Sequence, residues 1–134
     1  MMEKLERRWR IARNDQRGGA EARREFRNHL LRCRAPDDSG LHEALVVFGE
    51  LVTNAVRCAR SEVLVELAAD HSTILRVIDD GDCFGVGRVG QSSTEAEGGR
   101  GLHIAKALSR ELTVEHKPPG CVVTAVLPLS SAAL

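Results

Sequence analysis

A chain of 134 residues with 43% hydrophobic and 28% charged side chains has the size and composition of one compact domain, able to bury about two-thirds of its unfolded surface without disulfide staples. Its Lys+Arg 19 and Asp+Glu 19 cancel to a formal net charge of zero, which excludes recognition of nucleic acid or of a membrane surface through bulk charge. The sequence shows no signal segment and no apolar run of about 18 residues, and Cys33, Cys58, Cys83 and Cys121 lack C-x-x-C or zinc-finger spacing, so free thiols in a reducing cytoplasm are expected.

Residues 7–12 alternate arginine with Trp9 and Ile11, the period of a half-buried strand, and Asn14-Asp15 then offers a turn or a helix cap. Over residues 20–34, Ala22, Phe26, Leu30 and Cys33 recur at helical steps and leave arginines on the other face. Arg23 and Arg27, four apart, share that face and are candidate contacts for a partner or a second copy; a merely solvated face explains them equally well. Residues 35–40 break the helix, with Asp38 or Ser39 as caps for a second one. Its apolar positions Leu41, Leu45, Phe48, Val52, Ala55 and Ala59, joined by Val46, Val47, Leu51 and Val56, predict a mostly buried helix.

Two β-like runs follow, 63–68 and 73–78, with 69–72 as a hairpin connection. Residues 79–101 hold seven glycines (81, 85, 87, 90, 98, 99 and 101), a stretch too long for an ordinary connection. A helix is predicted over 102–112, then strands over 113–116 and 121–127 joined by Pro118-Pro119-Gly120, with Pro128 ending the last and a short tail from 130.

Three features place polar chemistry where packing does not ask for it. Glu50 and Asn54 stack on one side of the helix expected to be buried. They suit a base and a hard oxygen ligand for magnesium, unless they simply reach solvent at a helix edge. Asp79, leaving an apolar strand ahead of Gly81, is either an acceptor for an exocyclic amine or an ordinary Asp-Gly turn. Gly98-Gly99-Arg100-Gly101 precedes a helix and presents free N–H groups to a phosphate, unless it is only loop.

In order, Glu50-Leu51-Val52-Thr53-Asn54-Ala55, Asp79-x-Gly81, Gly98-Gly99-Arg100-Gly101-Leu102 and Gly120 leading to Leu127-Pro128-Leu129 resemble the ATP-binding boxes shared by gyrase, heat-shock chaperone, histidine kinase and mismatch-repair ATPases. The short chain, the opening strand with its arginine-rich helix and the lack of a histidine-bearing dimerisation segment are similar to the anti-sigma factor serine kinases. The resemblance runs over about residues 9–129 of a single domain, 1–134. It implies an α+β two-layer sandwich, a mixed and mostly antiparallel sheet with helices on one face, and ATP between the helices under a glycine-rich lid.

The resemblance also implies roles. Asn54 would bind the Mg2+ that bridges the phosphates, and Glu50 would be the base that activates a hydroxyl. Asp79 would accept from the adenine amino group, with Gly81 giving the base room and Cys121 standing at an adenine-contacting position. Gly99, Gly101 and Leu102 would hold the phosphates, and Arg100 would clamp negative charge. The partners implied are a sigma factor or similar regulator and an anti-anti-sigma protein carrying the acceptor serine; a homodimer is compatible, and no direct nucleic-acid or membrane contact is expected. A nucleotide-gated binding module without catalysis is the alternative. Three cysteines depart from the branch pattern: Cys58 stands for a histidine, Cys83 for a glycine and Cys121 for a threonine, which removes a hydroxyl partner for adenine.

Overall fold

The computed structural model describes residues 3–81, 98–118 and 120–130, with backbone only at 98–100 and 130. Its elements run β1 (Lys4–Ala12), α1 (Gln16–Arg34), α2 (Asp38–Cys58), β2 (Glu62–Ala69), β3 (Ser72–Asp79), α3 (Gly98–Leu108), β4 (Glu111–Lys117) and β5 (Gly120–Ser130). The sheet order is β1-β2-β3-β5-β4, and every pairing is antiparallel, at the antiparallel limit of the expected mixed sheet.

Alternation along the strands sends one set of side chains to the helices: Trp9 and Ile11 from β1, Val63, Val65 and Leu67 from β2, Leu75 and Val77 from β3. Phe26 of α1 and Phe48 of α2, both fully buried, stack with centroids 4.5 Å apart. Trp9 meets each of them edge-on, at 6.3 and 5.9 Å. Such aromatic contacts add about 0.5–1.5 kcal/mol each beyond the burial itself, so this trio fastens β1, α1 and α2 together. The opposite face carries the ion-pair ladder Arg8–Glu66–Arg76–Glu3 beside half-buried Leu64, Ile78 and Val122.

Local chemistry decides the helix ends. The Asp15 carboxylate accepts from the Gly18 N–H at 2.9 Å and caps α1, and α1 ends at Ala35 in left-handed backbone (φ 44) before Pro36. The α2 cap is Asp37, not Asp38 or Ser39: in extended backbone after Pro36 it accepts from the Gly40 N–H at 2.7 Å, which draws both predicted caps into the first turn.

The third helix starts and stops four residues earlier than predicted. Ser109 closes it, its N–H and hydroxyl both donating to the Ala105 carbonyl, and the Arg110 N–H passes to the Val126 carbonyl of β5. Leu112, predicted as helical, therefore belongs to β4 and packs against the core from there. Pro128 does not end β5. The β4 pairing stops at Val126 and the β3 register shifts between Ser72 and Ile74, so proline lies where the ladder is already interrupted and its missing N–H costs little.

Candidate functional site

Glu50, Asn54 and Cys58 recur every four residues along α2 and form one stripe, which spans about 12 Å at 1.5 Å per residue. All three are half-buried, whereas Thr53 and Arg57 on the neighbouring face are exposed. Glu50 and Asn54 thus avoid the full desolvation that a core position would impose. They lie on the side of α2 that meets α3 and the end of β3.

At one end of the stripe Glu50 reaches α3. A Cβ on Gly101 would lie 2.7 Å from Glu50 Oε1, so the absence of a side chain lets the carboxylate sit directly against the first turn of that helix. Gly98, Gly99, Arg100 and Gly101 form that turn, whose N–H groups have no partner within an α-helix and lie at the positive end of its dipole. Leu102 is 2% exposed; its side chain anchors α3 in the core, and only its backbone remains for a ligand. The Arg100 side chain lies outside the described residues.

At the other end stand Asp79 and the close backbone crossings around it. A Cβ on Gly81 would fall 2.0 Å from the Cys58 carbonyl oxygen, and one on Gly120 would fall 1.8 Å from the Asp79 carbonyl oxygen. Only glycine allows α2, the end of β3 and the start of β5 to converge there. Asp79 is 8% exposed. Its Oδ1 accepts from the Gly81 N–H at 2.8 Å, and its Oδ2 has the Cys121 thiol, a weak donor, at 3.8 Å. Burial pushes the Asp79 carboxyl above its usual range, against the Gly81 and Cys121 hydrogen bonds, with the Asp80 charge adding to the rise. Burial, with Asp79 nearby, also pushes the Cys58 thiol up.

The arrangement fits a nucleotide. A buried carboxylate offers an acceptor to an amino group at one end, where Gly81 serves the backbone crossing with Cys58 rather than opening space for a base as expected, and N–H groups with a carboxylate beside them stand at the other end for phosphates and a hydroxyl. Among the described residues no three His, Cys, Asp or Glu side chains cluster as a metal site. Cys83 and the middle of the predicted lid lie outside the described residues.

Two features escaped the sequence reading. Asp80, next to the buried Asp79 but on the other side of the strand, accepts from the N–H groups of Arg60 and Ser61 and from the Ser61 hydroxyl. These bonds hold its carboxyl down to about 2. It thereby clamps the α2–β2 connection to β3; two consecutive acids at a strand end must face opposite ways, and that was the available signal. The second is a cavity of about 450 Å3 between α1 and α2, lined by Asn14, Gly19, Arg23, Phe48, Thr53 and Arg57 among others. Arg23 lines it and donates to the Leu45 carbonyl at 3.4 Å, while Arg27, though exposed on the same helix, does not line it.

No helix of the described residues is long and apolar enough to cross a membrane. A family model described as "Histidine kinase-like ATPase domain" matches residues 12–127. No curated protein matches the sequence.

Proposed function

Because the chain belongs to the histidine kinase-like ATPase domain family, we propose that it is a cytoplasmic ATP-dependent serine protein kinase of the anti-sigma type. It phosphorylates an anti-anti-sigma partner and sequesters a sigma factor or similar regulator. The observation that carries this reading is the Glu50–Asn54–Cys58 stripe, which connects the Asp79–Gly81 crossing to the first turn of α3 and ends in a carboxylate packed on Gly101. A carboxylate next to the phosphate end favours transfer over binding alone, because it stands where an incoming hydroxyl would have to lose its proton.

In this reading Asp79 accepts from the adenine amino group, and the N–H groups of Gly99, Gly101 and Leu102, with Arg100, hold the phosphates. Glu50 takes the proton of the incoming serine hydroxyl. A Mg2+ held by Asn54 would neutralise phosphate charge when bound. Arg23 is the proposed partner contact, since it lines a cavity that also includes buried Phe48 and Val52, a setting suited to an acidic side chain on an apolar stem.

Calorimetry of Mg-ATP binding to the wild type, to Asn54→Ala and without magnesium tests the pocket, and phosphate transfer to a serine-bearing partner captured from the same cells tests the activity. Binding that depends on Asn54 and magnesium, with transfer lost in Glu50→Gln, supports the kinase. Cys121 favours the second reading, a nucleotide-gated binding module, because a thiol 3.8 Å from Asp79 replaces a stronger hydroxyl partner. That reading gains if the wild type binds nucleotide and transfers no phosphate.

A further inference from the structure

The last turns of α1 hold a cluster of reactive side chains that the candidate nucleotide site does not use. Glu6 of β1 places Oε1 2.7 Å from His29 Nε2 and Oε2 2.7 Å from Arg34 Nη2, and Arg34 Nε donates to Thr73 Oγ1 of β3 at 3.1 Å. The other ring nitrogen of His29, Nδ1, lies 3.8 Å from Cys33 Sγ. The side chains of Arg34, His29 and Glu6 are 3%, 12% and 17% exposed, and Cys33 is half-buried.

The hydrogen bonding orients the histidine ring. Burial pushes the Glu6 carboxyl up, but the hydrogen bonds and charges of Arg34 and His29 together outweigh it and hold the group below its ordinary range. An ionised Glu6 only accepts, so His29 Nε2 donates to it, and the second ring nitrogen, Nδ1, is the one that faces Cys33. A thiol, a base within reach of it and a carboxylate orienting that base are the three parts of an activated nucleophile. Helical spacing supplies His29 and Cys33 one turn apart, and the neighbouring strand supplies Glu6. Anchoring α1 to the sheet would need only the Glu6–Arg34–Thr73 contacts; it gives no reason for a thiol against the second ring nitrogen of His29.

We propose that Cys33 is a thiol-modification site, activated by His29 and Glu6, that reacts with small disulfides. Sγ attacks one sulfur of the disulfide as its proton passes to His29 Nδ1. The sulfur–sulfur bond breaks, the departing thiolate recovers the proton from His29, and a mixed disulfide remains on Cys33. Cys33 is oxidised and the departing sulfur reduced, so no further oxidant enters.

The test uses the full chain with glutathione disulfide at neutral pH, each cysteine being followed by mass spectrometry. Native Cys33 is expected to form the mixed disulfide at least about tenfold faster than the same cysteine in the urea-unfolded chain, and faster than native Cys58; His29→Gln is expected to remove about tenfold. Native Cys33 reacting no faster than in the unfolded chain overturns the proposal. So does a folded His29→Gln variant, verified by circular dichroism, with an unchanged Cys33 rate. If that variant does not fold, the native-to-unfolded comparison in the wild type decides alone.

Discussion

Replacing Gly101 with alanine separates stability from function. The new Cβ would stand 2.7 Å from Glu50 Oε1, about 0.7 Å inside the 3.4 Å at which ordinary contact begins, while the Glu50 Cβ and Cδ would be at a comfortable 3.8 Å. The obstacle is therefore the far end of a flexible side chain, and the carboxylate swings away without disturbing either helix. Gly101 lies within α3, where alanine is favoured over glycine by about 0.5–1 kcal/mol, so the melting temperature should hold or rise by about 2–5 °C. A base displaced by a sizeable fraction of an ångström should lose about 100-fold in ATP turnover. Thermal unfolding monitored by circular dichroism, together with steady-state ATP turnover, reads both quantities. A melting temperature lowered by more than about 5 °C would show that the Cβ meets something rigid; unchanged turnover would show that Glu50 does not act from this position.

Gly81→Ala should behave in the opposite way, since its Cβ would meet backbone, the Cys58 carbonyl at 2.0 Å; a destabilisation of about 1–3 kcal/mol or more is expected in urea titration, with loss of nucleotide binding. Phe48→Ala empties the centre of the aromatic trio and should cost about 3–5 kcal/mol by the same measurement, and a loss below about 1 kcal/mol would contradict the packing described. Asp80 has its folded carboxyl held at about 2, below the unfolded value. Its contribution to stability is present above the unfolded value of about 4 and disappears as pH falls toward about 2, so an acid titration of Asp80→Asn should lack that component of the wild-type pH dependence. Asp79 has the opposite sign: its folded carboxyl is raised, so stability declines as pH climbs from the unfolded value through the raised one. Asp79→Asn should flatten this decline while weakening adenine-nucleotide binding in calorimetry.

The order of elements and the identity of the core were legible because both depend on periodicity. Phe26, Leu30, Phe48 and Val52 repeat at helical steps, and Val63, Val65 and Val77 lie at alternate positions in strands. Element ends were less legible where a competing local bond decides them. Ser109 stops α3 by donating to Ala105, and Asp37 rather than Asp38 or Ser39 is the cap because its extended backbone aims its carboxylate at the Gly40 N–H. Leu112 carries helical spacing in the sequence, yet it pairs with Ala125 as a strand residue, which only the presence of β5 could require.

By itself the sequence singled out the candidate site: the Glu50/Asn54 spacing, the acid at the end of an apolar strand and the glycines before a helix are each written within a few residues. Their convergence was decided by tertiary structure. Gly81 is necessary because the Cys58 carbonyl crosses it, Gly120 because Asp79 does, and Gly101 because Glu50 rests on it, each contact joining residues at least twenty positions apart. The Glu6–His29–Cys33 relay has the same origin, since an i,i+4 pair on α1 becomes a three-part unit only when β1 lies alongside. Periodicity reports which way a side chain faces, but excluded volume between distant segments decides what it faces.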